Sequence, residues 1–62
     1  MKFIKIPHLD NPENYDYVKI DRITCISKLS DRTTIYFDND SMAVDTYLTT
    51  DEIFQLITKA TV

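Results

Sequence analysis

TTIYFDNDSMAVDTYLTTDEIFQLITKA, from Thr33 to Ala60, decides the fold, because three independent signals within it agree on one geometry. Strict alternation in TTIYFD and again in MAVDTYL reads as two half-buried strands. With Asn39 and Asp40 as a two-residue loop, Phe37 falls opposite Met42, Ile35 opposite Val44 and Thr33 opposite Thr46, so the large aliphatic side chains share one face. Leu48, Thr49, Glu52 and Ile53 then follow at the spacing of a hydrophobic staple around a capping box. Thr49 is the N-cap and Glu52 its reciprocal partner, satisfying two amides that a helix start leaves orphaned. A helix is therefore predicted from about Thr50 to Lys59. Ile53, Leu56, Ile57 and Ala60 lie at i, i+3, i+4 and i+7, one apolar stripe suited to covering an open sheet face.

N-terminal to this unit, Lys2 to Ile6 (KFIKI) alternates as a first strand, with Ile4 and Ile6 on one face and Phe3 on the other, and Pro7 ends it or marks an edge. Leu9 to Asp16 (LDNPENYD) contains Asn11-Pro12 and reads as a turn-rich connector, the one flexible segment expected. Tyr17 to Leu29 (YVKIDRITCISKL) is harder. Its Ile20, Ile23 and Ile26 are three apart, a spacing that fits neither clean alternation nor a full helical stripe. Enrichment in Val, Ile and Thr favours strand. The segment is read as a strand from Tyr17 to about Ile20, an irregular turn or bulge at Asp21 and Arg22, and a second strand from Ile23 to Ser27. Ser30 to Arg32 is a polar turn. The fold class expected is α+β: a single domain over residues 1–62 with a small, mostly antiparallel β-sheet of four to five short strands, compatible with an SH3-like half barrel, and one C-terminal helix.

Composition excludes more function classes than any motif supports. A chain of 62 residues buries only about 60% of the surface its unfolded form exposes, so its stability margin is thin. One cysteine cannot form an internal disulfide, and with one histidine it cannot build a structural zinc site. Oligomerisation is the staple that remains. The apolar content of 44%, the charged content of 27% and the net charge of −3 describe an ordered globular protein. A pI near 4.7 argues against a large phosphate-binding footprint, so nucleic acid is an unlikely partner. No apolar run approaches the roughly 20 residues that span a bilayer, and the first residues lack a signal-peptide core, so no membrane insertion is expected. The expectation is a cytoplasmic protein, complete from its own Met1. With no glycine at all, the phosphate-cradling loops of nucleotide-binding enzymes cannot be built. Any positive-φ turn falls to Asn or Asp, which Asp38, Asn39 and Asp40 supply.

The residues that could carry chemistry each have a plainer reading. His8, beside Pro7 and without a second histidine, is read as a solvated turn residue. Cys25, between Thr24 and Ile26, is read as a buried small hydrophobe and not as a nucleophile. Asp38, Asp40 and Asp45 lack the mid-loop glycine and closing glutamate of a calcium loop and are read as turn formers. Asp51 and Glu52 sit in the first turn of the predicted helix, where the dipole favours negative charge. No catalytic residue, metal site or cofactor is expected, and the chain is not expected to be an enzyme.

The opening FIKI, then YVKIDRI with a short strand after it, then DRTTIYFDND leading into a valine-containing strand, and finally LTTDEIFQLI as a capped helix form a pattern over nearly the whole chain. In this pattern the chain resembles a family of very short bacterial and phage proteins related to the flagellar motility proteins FlbD and SwrD. It differs in carrying DNPENYD where family members have a short glycine-containing turn, and Asn39-Asp40 where they have a glycine in the hairpin. The resemblance implies a small β-rich unit with a terminal helix that acts by association and not by catalysis.

In the same hairpin register Tyr36 opposes Ala43, Thr34 opposes Asp45 and Arg32 opposes Tyr47, an outer face whose Tyr and Arg content matches that of interface cores. Arg32, Tyr36 and Tyr47 are therefore interface candidates, and Tyr15 and Tyr17 at the mouth of the connector are expected to extend the same surface. The expected function is a non-catalytic protein-interaction module, a dimer or higher homo-oligomer that docks onto a larger host or phage protein. The alternative is a phage-encoded inhibitor or sponge that binds a small, nucleotide-like ligand at an oligomer interface through Arg22, Arg32 and Tyr36.

Overall fold

The computed structural model describes residues 2–38 and 42–61. The chain runs through β1 (Phe3–Pro7), β2 (Tyr15–Lys19), a single 3-10 turn (Ile20–Arg22), β3 (Ile23–Lys28), β4 (Thr33–Phe37), β5 (Ala43–Thr46) and α1 (Thr50–Thr61). The fold is α+β, with five short strands in two antiparallel sheets, β1-β2 and β3-β4-β5, and one C-terminal helix. Ile4 and Ile6 alternate with exposed Phe3 and Lys5 along β1, and Ile4 pairs with Val18 of β2. This inner face meets Ile35 and Val44 of the second sheet and Ile53 of the helix in one aliphatic cluster. Leu56, Ile57 and Ala60 close over it, which is the stripe that the i, i+3, i+4, i+7 spacing predicts.

The hairpin has the predicted register, Thr33 opposite Thr46, Thr34 opposite Asp45, Ile35 opposite Val44 and Tyr36 opposite Ala43. Its expected turn at Asn39 and Asp40 lies outside the described residues, and the expected Phe37–Met42 and Arg32–Tyr47 pairs lie one step beyond the two ends of this ladder. The helix start is the capping box. The Glu52 amide donates to Thr49 Oγ1 (3.1 Å), and the Thr49 amide donates to Glu52 Oε1 (3.0 Å). Just before it, fully buried Thr46 accepts the Leu48 amide at its hydroxyl (3.3 Å), so the polar atom of a core residue turns the chain toward the helix.

Three expectations are corrected. The second strand begins at Tyr15 and ends at Lys19, because Pro7–Tyr15 and Ile6–Asp16 pairing extends the β1-β2 ladder into the presumed connector. What remains of that connector is tied down: the Asn14 amide donates to the Asn11 carbonyl, the Glu13 amide to Asn11 Oδ1, the His8 amide to the Asn14 carbonyl and the Leu9 amide to the Asp45 carbonyl. It is a hydrogen-bonded turn, not a loose segment. Cys25 is exposed and not buried. Ile23 pairs with Phe37 and Ile26 with Ile35, three residues of β3 against two of β4, and the extra residue is a bulge between Ile23 and Cys25. The bulge lets two isoleucines of odd spacing share the core face and turns Cys25 outward, its Sγ 3.5 Å from Ser27 Oγ.

Candidate interaction surface

Every described core hydrophobic residue is aliphatic, and the aromatic side chains lie elsewhere. Phe3, Tyr15, Tyr17, Tyr36, Tyr47 and Phe54 are all exposed, Tyr17 the most at 64%, and Phe37 is half-buried at the edge of the core. The inner faces of the two sheets meet in one cluster, and each sheet has an outer face on its other side. On the β1-β2 outer face the pairs are Phe3 with Lys19, Lys5 with Tyr17 and Pro7 with Tyr15. Lys5 Nζ stands 4.1 Å from the centroid of the Tyr15 ring, and the Tyr15 and Tyr17 rings meet edge to face at 5.5 Å. Tyr15 and Tyr17 thus stand on the β1-β2 sheet, and Tyr36 on the other. Phe3 and Lys5 were missed as members, although their alternation with Ile4 and Ile6 is the signal that places them there.

The β3-β4-β5 outer face is built around Tyr36 and Ala43, a directly opposed pair. Beside it, Thr34 Oγ1 donates to Asp45 Oδ1 (2.7 Å), and this bond together with its neighbours leaves Thr34 5% exposed although it faces outward. Arg32 Nη1 donates to Asp45 Oδ2 (3.1 Å), while Nε and Nη2 grip Asp31 in a two-point contact at 3.2 Å each. That contact holds the Asp31 carboxyl below its ordinary value and raises the Arg32 guanidinium further. Arg32 therefore sits in a carboxylate network at the start of β4, with exposed Tyr36 near the other end of that strand and exposed Tyr47 just beyond β5.

Two concavities lie where β2 and β5 approach, and Asp16 and Val44 line both. The first, about 460 Å³, is lined by His8, Asp10, Arg32 and Asp45 among others. In it, His8 Nε2 donates to Asp16 Oδ2 at 2.9 Å, so His8 has a partner while its side chain stays partly exposed. The second, about 350 Å³, is lined by Phe3, Tyr17, Lys19, Arg22, Phe37 and Met42 among others, with Arg22 Nη1 donating to Asp38 Oδ2 (3.0 Å) on its rim. Arg22, Arg32 and Tyr36, the residues of the small-ligand reading, are thus not gathered in either: Arg22 lines one, Arg32 the other, and Tyr36 neither. Asp38 and Asp45 are likewise turned to separate arginines, and no group of three or more metal-ligating side chains gathers among the described residues. No described helix is long and apolar enough to cross a membrane. No protein-family model, curated protein or solved structure matches the chain.

Proposed function

We propose that this chain is a non-catalytic protein-interaction module that self-associates and docks onto a larger partner. The observation that carries the reading is the partition of its side chains. The core is made of Ile and Val, while six of the seven aromatic residues are spent on the surface. Aromatic side chains supply the largest burial per residue and dominate interface energetics. A domain this small, with no disulfide, gains most by burying them against another chain. The resemblance to the FlbD- and SwrD-related small proteins supports the same reading.

Sedimentation velocity across micromolar concentrations tests the reading. The wild type is expected to associate, and Tyr36→Glu with Tyr47→Glu to weaken association while leaving the far-ultraviolet circular dichroism unchanged. A wild type that stays monomeric throughout, with the double variant folded and unaltered, overturns self-association. A second reading, binding of a small nucleotide-like ligand, draws on the concavity whose lining places Phe3, Tyr17 and Phe37 beside Lys19 and Arg22. Native mass spectrometry of the purified protein reads it directly as a retained small molecule.

A further inference from the structure

The two outer sheet faces differ in charge. In β1 and β2 the lone acidic residue, Asp16, alternates onto the other side from Tyr15 and Tyr17 and pairs with His8 while staying half exposed, so Lys5 and Lys19 share their outer face with Phe3, Tyr15 and Tyr17 and no carboxylate of either strand. Asp21, just past β2, lies 3.9 Å from Lys19 Nζ and offsets part of this charge. On the β3-β4-β5 outer face the balance is reversed: two carboxylates, Asp31 and Asp45, share the single guanidinium of Arg32 at the start of β4, the strand that carries exposed Tyr36. One face is aromatic with excess positive charge, the other aromatic with excess negative charge.

We infer that copies of this chain associate head to tail, the β1-β2 outer face of one copy seated on the β3-β4-β5 outer face of the next. The inference rests on the self-association reading and specifies its geometry. A two-fold contact of either face with itself sets like charges against each other, Lys5 and Lys19 on the same lysines or Asp31 and Asp45 on the same aspartates, and like-charge juxtaposition is what selects against a wrong partner. The head-to-tail contact brings the lysines to the carboxylates and stacks Tyr15 and Tyr17 near Tyr36. Because such a contact uses a different patch on each copy, it closes into a ring or continues as a chain, and does not stop at a dimer.

Two variants blocked on opposite faces test this. Lys5→Glu with Tyr17→Glu blocks the first face, and Tyr36→Glu blocks the second. In sedimentation velocity the wild type is expected to form species larger than a dimer that shrink as sodium chloride is raised. Each variant alone is expected to be monomeric. Their equimolar mixture should give a discrete one-to-one complex and nothing larger, since one good contact survives between them. A variant that remains dimeric while the other is monomeric shows a two-fold contact on the surviving face, which overturns head-to-tail assembly and leaves self-association standing. Two variants that associate as the wild type does overturn both faces as the contact, and a monomeric wild type overturns the self-association reading itself. Circular dichroism establishes that each variant is folded. Should a glutamate variant unfold, Lys5→Gln with Tyr17→Ser and Tyr36→Ser repeat the mixing, with the same outcomes deciding.

Discussion

The β5-α1 junction and the passage from β2 into β3 both turn the chain sharply, and they are held by opposite means. At the junction the partners are neighbours in sequence. Thr46 receives Leu48, and Thr49 and Glu52 receive each other's amides, none more than three residues apart. In the passage the partners are distant: the Ile20 amide reaches the Lys2 carbonyl, Arg22 reaches Asp38 sixteen residues away, and the Thr24 hydroxyl donates to the Tyr36 carbonyl across twelve. The junction is fixed by chemistry that it carries with it. The passage is fixed only once the rest of the sheet exists.

Ile53 belongs to both regions, since it is the staple residue of the junction and lies in the cluster that receives Ile20, Ile23 and Ile26 from the passage. It is fully buried. Ile53→Ala should therefore show the largest effect, about 2–5 kcal/mol for removing a core aliphatic side chain, against a core that supplies no more than about 3–5 kcal/mol in a domain this small. Loss of the cooperative thermal transition is the expected result. Phe54, the next residue and 55% exposed, is the control. Phe54→Ala should shift the monomer's stability by no more than about 0.5 kcal/mol, and a large loss there would show that the helix packs through a different stripe.

Thr49→Ala comes next, at about 1 kcal/mol for the lost N-cap. Its counterpart in the passage is Thr24→Ala, which removes one long side-chain bond at an exposed position and should cost less, about 0.5 kcal/mol. Denaturation midpoints of the two variants, compared at equal m-values, test whether the local device is the stronger one. The reverse order would show that the distant contact holds the bulge in place.

The same contrast explains which parts of the fold could be read from the chain. Alternation in Thr33–Phe37 and Ala43–Thr46, and the spacing of Leu48, Thr49, Glu52 and Ile53, encode their own partners, so register and helix start were both legible. Ile20, Ile23 and Ile26 encode only that all three are needed inside. A 3-10 turn beginning at Ile20 and a bulge after Ile23 reconcile them with one core face, and the bulge takes its definition from β4, whose Phe37 and Ile35 set the positions to be matched. Cys25 was misplaced for that reason, as plain alternation gives no sign of the inserted residue. At the surface, the tyrosines and Arg32 were legible as residue types. Their division between two sheets depended on pairing across the Pro7–Tyr15 end of β1 and β2, which the connector's turn residues concealed. Cys25 pairs with Tyr36 on the proposed contact face, so its exposure is read in the dissociated chain: a thiol reagent should label the folded Lys5→Glu, Tyr17→Glu variant completely without denaturant, and Cys25→Ser should leave stability within about 0.5 kcal/mol. A protected thiol would remove the bulge from the account.

Arg32 joins the two modes in one side chain, gripping its sequence neighbour Asp31 on one side and Asp45, thirteen residues on, on the other. Asp31→Asn removes only the local half, and because the pair is exposed its effect should be the smallest of these and the most dependent on conditions. The hydrogen bonds and charge of Arg32 hold the Asp31 carboxyl below its ordinary value of 3.8 in the folded chain. As pH falls the unfolded chain therefore takes up this proton first. The contribution is fully present above the unfolded value and is lost as pH drops through the folded one. The difference in midpoint between wild type and Asp31→Asn should thus be constant from neutrality down to about pH 5 and close below that. It should also shrink with added salt at pH 7. A difference that persists unchanged in acid would show that Asp31 acts through the backbone of the turn, where the Leu29 amide donates to the Arg32 carbonyl at 2.8 Å, and that Arg32 is oriented by its distant partner alone.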